Sequence, residues 1–154
     1  MRQAPDPRYH RPSQKHSLSK ILAWANHTIS DYPNRRVIVV THDYLATSCS
    51  RDKVGDRIWQ SFVSPHADQI FLVLCGHNYG ETDRIDTVKG HVVYQILSDY
   101  QGRENGGDGW LRILEFHPAE NQIDVKTYSP HLNHYEVDAD SQFTLSYNMT
   151  SNNP

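Results

Sequence analysis

Two short apolar segments, each followed by a histidine, are the clearest hydrophobic pattern in the chain. Residues 37–41 and 69–75 are almost entirely apolar, and they lead directly to His42 and His77. Short apolar runs of this kind are typical of strands in a parallel sheet that is covered on both faces. We therefore predict two buried strands whose faces and edges must be covered by other parts of the structure.

Two amphipathic helices are predicted next to these strands. The first begins after Ser17, a candidate N-cap, and ends before Pro33; the second covers residues 54–63 and ends before Pro65. A strand, a helix and a second strand in this order favour a right-handed unit with parallel strands. The first part of the chain is thus predicted to be α/β.

Parallel pairing would bring both histidines to the same carboxyl edge of the sheet, where open α/β sheets bind their ligands. Neutral imidazole is a good ligand for Zn, Mn and Fe, so His42 and His77 are candidate metal ligands. Asp43 is a candidate hydrogen-bond acceptor that would fix the tautomer of His42. The alternative is that both residues are loop histidines satisfied by backbone carbonyls.

The periodicity changes to alternation in the second half of the chain. Residues 82–88 and 91–97 predict one hairpin, and residues 110–116 and 122–128 predict a second. A short strand over residues 142–147 would follow. The expected fold class is α/β, with a mixed sheet of parallel strands, β-hairpins and two main helices.

A glycine-rich loop, residues 101–109, separates the two hairpins. Asp99, Arg103 and Asp108 lie in or beside it and could face a substrate, but a structural crossover whose glycines adopt positive φ is favoured. The nearby aromatic residues Trp110 and Tyr128 are predicted to pack in the core or the hairpin. Three histidines that lack a recognisable ligand spacing are predicted to be surface residues: His117, His131 and His134.

The composition limits the size of the core and the classes of binding partner. The chain has 154 residues, a net charge of −3 and 37% hydrophobic residues, which fits one domain with a modest core and gives no electrostatic reason to bind nucleic acid or membranes. We predict an extended arm over residues 1–16, a domain over 17–147 and a disordered tail over 148–154. No apolar segment follows Arg2, so no signal peptide is expected. The two cysteines do not suggest a disulfide framework.

Several motifs, taken in order, resemble the calcineurin-like metallophosphoesterases, and specifically the carboxyl-terminal half of their bacterial extracellular-type members. These motifs are VIVVTHDYL at 37–45, FLVLCGHNYGE at 71–81 and NGGDGWLRIL at 105–114. Residues 124–143 fit the same group, and the resemblance covers about residues 18–147.

The resemblance implies a sandwich of two mixed sheets flanked by helices, and the activity of a metal-dependent phosphoester hydrolase such as a phosphodiesterase. In such enzymes two metal ions, drawn from Mn, Fe and Zn, activate a hydroxide that attacks phosphorus. His42 matches the family's lone strand-end histidine, and His77 matches the first histidine of its Gly-His-x-His block. Both would then bind the same metal ion. An extracellular location is also implied.

This sequence also departs from the family pattern. Tyr79 stands where the second histidine of Gly-His-x-His would be, and the Asp-x-His, Gly-Asp-x-x-Asp and Gly-Asn-His-Asp/Glu blocks are absent. A binuclear centre cannot assemble on this chain alone. We expect a truncated domain that is catalytically incomplete without an amino-terminal half.

The chain alone would then carry either half of a metal site or no metal. Its expected partners are a phosphoester substrate in the complete enzyme, and a complementing chain or further copies of itself. One alternative is a non-catalytic structural or self-assembling subunit derived from the same fold. Another is a small metal-binding module that uses ligands from a partner.

Overall fold

Helix α1 (Gln14–Asp31) forms the first of two structural units in the computed structural model, which describes residues 14–150. The units divide between Pro33 and Asn34. In α1, Leu22 and Ile29 are the buried apolar side chains. The helix ends before Pro33, as predicted.

The start of α1 corrects two predictions. Ser17 lies inside the helix and is not its N-cap, and residues 14–16 of the predicted extended arm are helical. Pro12 is the last proline of that arm, so no helix-breaking residue separates Gln14 from the amphipathic segment. Residues 1–13 of the predicted arm lie outside the described residues.

The second unit contains a four-stranded mixed sheet. Its strands are β1 (Val37–Asp43), β2 (Ile70–Gly76), β3 (Gly80–Val88) and β4 (His91–Asp99), in the order β1-β2-β4-β3. β1 and β4 pair with β2 in parallel, whereas β3 and β4 form an antiparallel hairpin. The predicted parallel pair and the first predicted hairpin are confirmed.

The connection between β1 and β2 is helical but less regular than the sequence suggests. Helix α2 (Lys53–Ile58) continues into a π-helical turn, Trp59–Val63, and a 3-10 turn, Ser64–His66. The prediction that Pro65 lies beyond the helical segment is therefore wrong. Proline fits here because its missing N–H is not needed at the start of a 3-10 turn.

A second sheet is built around β6 (Gln122–Ser129). β5 (Leu111–His117) pairs with it on one side, and β7 (His134–Glu136) and β8 (Phe143–Ser146) pair with it on the other. All pairs are antiparallel, which confirms the second hairpin. β7 was not predicted, since three residues are too few to show alternation.

The two sheets pack against each other through one hydrophobic core. β6 alternates strictly, with Ile123 and Val125 fully buried. The other buried members of this core come from the first sheet and from β8: Phe71, Leu72, Tyr94, Ile96 and Leu145. The fold is thus a mixed α/β fold with two sheets and few helices. None of the helices in residues 14–150 is long and apolar enough to span a membrane.

β1 is the edge strand of the first sheet, and the prediction that it is buried on both faces is wrong. Ile38 is 42% exposed and Val40 is 77% exposed, while β2, between two strands, is buried as predicted. Ile38 and Val40 pair in register with Leu72 and Leu74, whose side chains pack in the inter-sheet core. The apolar face of β1 therefore continues this core to the open side of the sheet.

The start of the predicted disordered tail is ordered. Met149 packs against the core, its backbone N–H donates to Asn121 Oδ1 over 2.6 Å, and its carbonyl accepts from Arg36 over 2.9 Å. Residues 151–154 lie outside the described residues. Cys75 is buried and Cys49 exposed, and both are free thiols.

Candidate functional site

Polar side chains lie at the carboxyl ends of three neighbouring parallel strands of the first sheet. His42 lies near the end of β1, His77 directly follows β2, and Asp99 ends β4. His77 Nδ1 lies 3.0 Å from His42 Nε2, and the two rings meet edge to face with centroids 4.8 Å apart. The prediction that the two histidines share an edge is confirmed. They contact each other, which the loop-histidine alternative did not predict.

Local backbone irregularities place both imidazoles. The pairing of β1 with β2 shifts register between Val40 and Asp43, so His42 lies in a bulge. His77 has a φ of +73°, a conformation that non-glycine residues rarely adopt. Bulges and left-handed residues redirect side chains, and both are concentrated at functional sites.

The turn after β2 is held in place by contacts of Asn78 and Tyr79. Asn78 donates from Nδ2 to the carbonyl of Leu45 over 2.7 Å and from its backbone N–H to that of Gly76 over 3.0 Å. Tyr79 is 67% exposed, and its ring lies against Gly102, where a β-carbon would come within 2.6 Å of the ring. The tyrosine that replaces the second family histidine thus packs against the glycine-rich loop.

Asp43 has a partner other than the one predicted. Within the described residues its carboxyl makes no hydrogen bond to His42, and its Oδ1 is shielded from solvent without a hydrogen-bond partner. The carboxyl of Asp52 is its interacting neighbour. This contact, together with burial and the negative charge of Asp52, raises the pKa of Asp43 to about 6, against the opposing effect of the two histidines. Asp52 also caps α2, where its Oδ1 accepts from Val54 and Gly55 over 2.7 Å each. Asp43 therefore links the site to the start of α2.

A cavity of 420 Å³ opens beside the histidine pair. Its lining includes His42, His77, Ser98, Asp99 and Trp110. An Asp99 oxygen lies 3.9 Å from the position that a β-carbon would take at Gly76, and Gln101 donates to Asp99 through its backbone and its side chain. Of the three polar residues in or beside the glycine-rich loop, Asp99 is the one that lines this cavity.

The glycine-rich loop has the structural role that was favoured for it. Residues 105–109 all have positive φ, which explains the three glycines among them. Arg103 is held in ion pairs of 2.7 Å with Glu81 and 2.6 Å with Glu136. The Asp108 carboxylate accepts from Asn105 over 2.8 Å. Arg103 and Asp108 thus stabilise the loop.

The 3.0 Å between the two nitrogens is the distance of a hydrogen bond between imidazoles, and it is also compatible with a shared metal ion. With metal–nitrogen bonds of about 2.0–2.1 Å, two nitrogens 3.0 Å apart would subtend an angle of about 90° at the metal. Within residues 14–150, no third histidine, cysteine or carboxylate groups with the pair closely enough to complete a three-ligand site. The pair can hold a metal ion only weakly unless further ligands are supplied.

The remaining predicted residues are half-buried or exposed, and none belongs to the hydrophobic core. Trp110 lines the cavity, and Tyr128 packs against Tyr135 with ring centroids 4.5 Å apart. His117, predicted to be an isolated surface residue, is grouped with Glu115 and Asp124. Sequence spacing could not show this group because Asp124 joins it from the neighbouring strand.

Comparison with known proteins gives one informative relative. The uncharacterized protein YvnB of Bacillus subtilis (strain 168) is 34% identical over 141 residues, which cover 83% of this chain and 11% of that protein. The chain thus spans about a tenth of the length of the relative that it matches. No protein-family model matches the chain.

Proposed function

We propose that this chain is a segment of a metal-dependent phosphoester hydrolase of the calcineurin-like metallophosphoesterase type. His42 and His77 would hold one metal ion, either Mn, Fe or Zn. The observation that carries the proposal is the 3.0 Å separation of His77 Nδ1 and His42 Nε2 at the carboxyl edge of two parallel strands. The two packed sheets are consistent with the sandwich that the sequence resemblance implies.

The chain's own residues would position the metal and the substrate. The bulge in β1 and the left-handed backbone at His77 fix the two imidazoles, and the cavity beside them leaves room for a phosphoester. The metal would supply Lewis acidity and activate water. Asp99, at the cavity wall, would repel an anionic substrate from that side and favour its approach from elsewhere.

The proposed enzyme is incomplete on this chain. The pair has no third ligand in the described residues, and the Asp-x-His, Gly-Asp-x-x-Asp and Gly-Asn-His-Asp/Glu blocks do not occur in the sequence. The length of the relative is in keeping with a site completed by another part of a longer polypeptide. A complementing segment would have to approach the open edge at β1, because His42 lies on that strand.

Metal binding and turnover test the proposal together. In an NMR titration of the intact chain with Co²⁺, we expect broadening of the resonances of His42 and His77. His42→Ala should abolish this broadening, whereas His131→Ala, which removes an exposed loop histidine, should preserve it. Because the pair alone binds weakly, the titration is carried to a large excess of Co²⁺; failure to broaden these resonances even then would refute the proposal that the two histidines bind metal.

An assay with an aryl phosphodiester and Mn²⁺ tests the incompleteness. The chain alone should give no turnover above the metal-only rate. Turnover by the chain alone that is lost in His42→Ala would contradict the claim that further ligands are needed.

A second candidate function is a non-catalytic, self-assembling subunit derived from the same fold. The exposed apolar residues Ile38 and Val40 on an edge strand favour it, as does Tyr79 in place of a ligand. Ordered oligomers, combined with no metal at the histidine pair, would favour this candidate over the hydrolase.

A further inference from the structure

Three side chains that are suitable for metal binding converge on the outer face of the second sheet. Glu115 and His117 are two residues apart on β5, so their side chains share a face. Asp124 on β6 lies directly opposite Glu115 in the register. One ligand atom of each of the three side chains lies within 4.8 Å of the others.

We propose that Glu115, His117 and Asp124 form a binding site for a divalent transition-metal ion, for which Zn²⁺ is the best match. One imidazole nitrogen and two carboxylate oxygens suit the borderline character of zinc, and two carboxylates balance its charge. His117 Nε2 lies 3.4 Å from Asp124 Oδ2. Ligands about 2.1 Å from a zinc ion at a tetrahedral angle would be separated by about this distance.

The state of His117 Nε2 is a second indication of a ligand. The nitrogen is shielded from solvent and makes no hydrogen bond within the described residues, and Asp124 Oδ2 at 3.4 Å is placed as its ion-pair partner; the side chain as a whole is 39% exposed. A shielded nitrogen that makes no hydrogen bond is unfavourable. A cation bound between His117 and Asp124 would accept the lone pair of His117 Nε2.

Asp124 is already oriented for this role. Its Oδ1 accepts a hydrogen bond of 2.6 Å from Gln122 and one of 3.1 Å from Thr144 on β8. These contacts occupy one carboxylate oxygen and leave Oδ2 facing His117. Outer hydrogen bonds of this kind commonly fix metal-binding carboxylates.

Lys126 is the competitor at this site. Its ammonium group forms an ion pair with Glu115 Oε2, so a metal ion must displace the lysine or share the carboxylate with it. Removing the ammonium group should therefore strengthen metal binding.

The test uses the intact, untagged chain with His42→Ala and His77→Ala, which removes the histidine pair. Calorimetric titration with Zn²⁺ should show one saturable site. His117→Ala and Asp124→Asn should each weaken binding by at least about tenfold, and Lys126→Met should tighten it. His27→Ala is the matched control, because His27 lies 3.8 Å from Asp31 and is in no three-ligand group among residues 14–150. The zinc affinity of this variant should equal that of the background chain.

An NMR titration with paramagnetic Co²⁺ identifies where on the chain the ion binds. Amide resonances of residues 115–117 and 122–124 should broaden first in the background chain, and this selectivity should disappear in His117→Ala. Unchanged zinc affinity in His117→Ala, or no saturable binding in the background chain, would overturn the proposal. These outcomes do not depend on the proposed hydrolase function, because the histidine pair is absent from every variant tested.

Discussion

Arg112 of β5 donates a hydrogen bond of 2.6 Å to the Glu81 carboxylate of β3, and this ion pair joins the two sheets. Glu81 is nearly buried and also accepts from Arg103 over 2.7 Å, from Ser141 and Tyr100 over 2.9 Å each, and from Thr127 over 3.2 Å. One carboxylate of the first sheet therefore satisfies donors from the second sheet, from the glycine-rich loop and from the segments that follow β4 and precede β8.

Replacing this carboxylate should destabilise the fold. We expect Glu81→Gln to lower the free energy of unfolding by about 3 kcal/mol, because the buried Arg112 guanidinium would lose its counter-charge. Urea denaturation would measure the change. Glu115→Gln, which breaks the exposed pair with Lys126, is the matched control and should have little effect. Equal stability of the two variants would contradict this role of Glu81.

Gly55 should not tolerate a side chain. A β-carbon there would lie 2.1 Å from the backbone carbonyl oxygen of Tyr44, which cannot move aside as a flexible side chain would. Gly55→Ala should cost at least about 2 kcal/mol of stability, despite the better helix propensity of alanine. At Gly76 the nearest atom to a new β-carbon is 3.8 Å away, so thermal unfolding of Gly76→Ala should stay close to that of the parent.

Stability should fall in acid because of Asp86. Burial opposes its ionisation, but hydrogen bonds from Arg84 and Gln95 and the charges of Arg51 and Arg84 lower the pKa of Asp86 to about 2. Since the folded-state pKa lies below the ordinary value of about 4, the stabilisation is complete above pH 4 and is lost as the pH falls through 2.

The contribution of Asp86 should be about 2 kcal/mol. Asp86→Asn should flatten the dependence of the unfolding free energy on pH between pH 4 and pH 2. The control Asp68→Asn, at an exposed position, should preserve that dependence. Denaturant titrations across this pH range would provide the comparison. An unchanged acid dependence in Asp86→Asn would show that other groups dominate.

The open edge at β1 should promote self-association of the chain when no complementing segment is present. Val40 is 77% exposed on this edge strand, and unpaired strand edges readily accept another strand. Val40→Lys should shift the molecular mass measured by light scattering toward that of a monomer. Val137→Lys changes a valine that is 76% exposed outside the strands, and should not do so. A monodisperse monomer for the unmodified chain would count against this prediction.

Much of the first sheet could be predicted from the sequence because its signals are local. The apolar runs before His42 and His77 and the helical spacing between them determine a parallel pair, and the Lys89-Gly90 turn marks a hairpin. The burial of each strand was less predictable than its pairing. An apolar strand such as β1 has the same pattern at a sheet edge as in the centre, and its exposure depends on strand order.

The finer features of the site depend on tertiary contacts that leave little trace in the sequence. The bulge around His42 is a register shift against β2, and the interaction between the Asp43 and Asp52 carboxyls forms across a loop. The group of Glu115, His117 and Asp124 likewise requires the register between β5 and β6. The hairpin could be predicted, but not this alignment of polar side chains on one face.

The contact between His42 and His77 joins residues that are 35 positions apart in the chain. In an unfolded chain this separation makes their meeting improbable, so the two nitrogens would form a bidentate chelate only after β1, the connecting helix and β2 have assembled. Any ion that binds both imidazoles would bind the native state in preference to the denatured ensemble. Its concentration would then control the folding equilibrium through mass action, and the histidine pair would couple metal availability to the persistence of the fold.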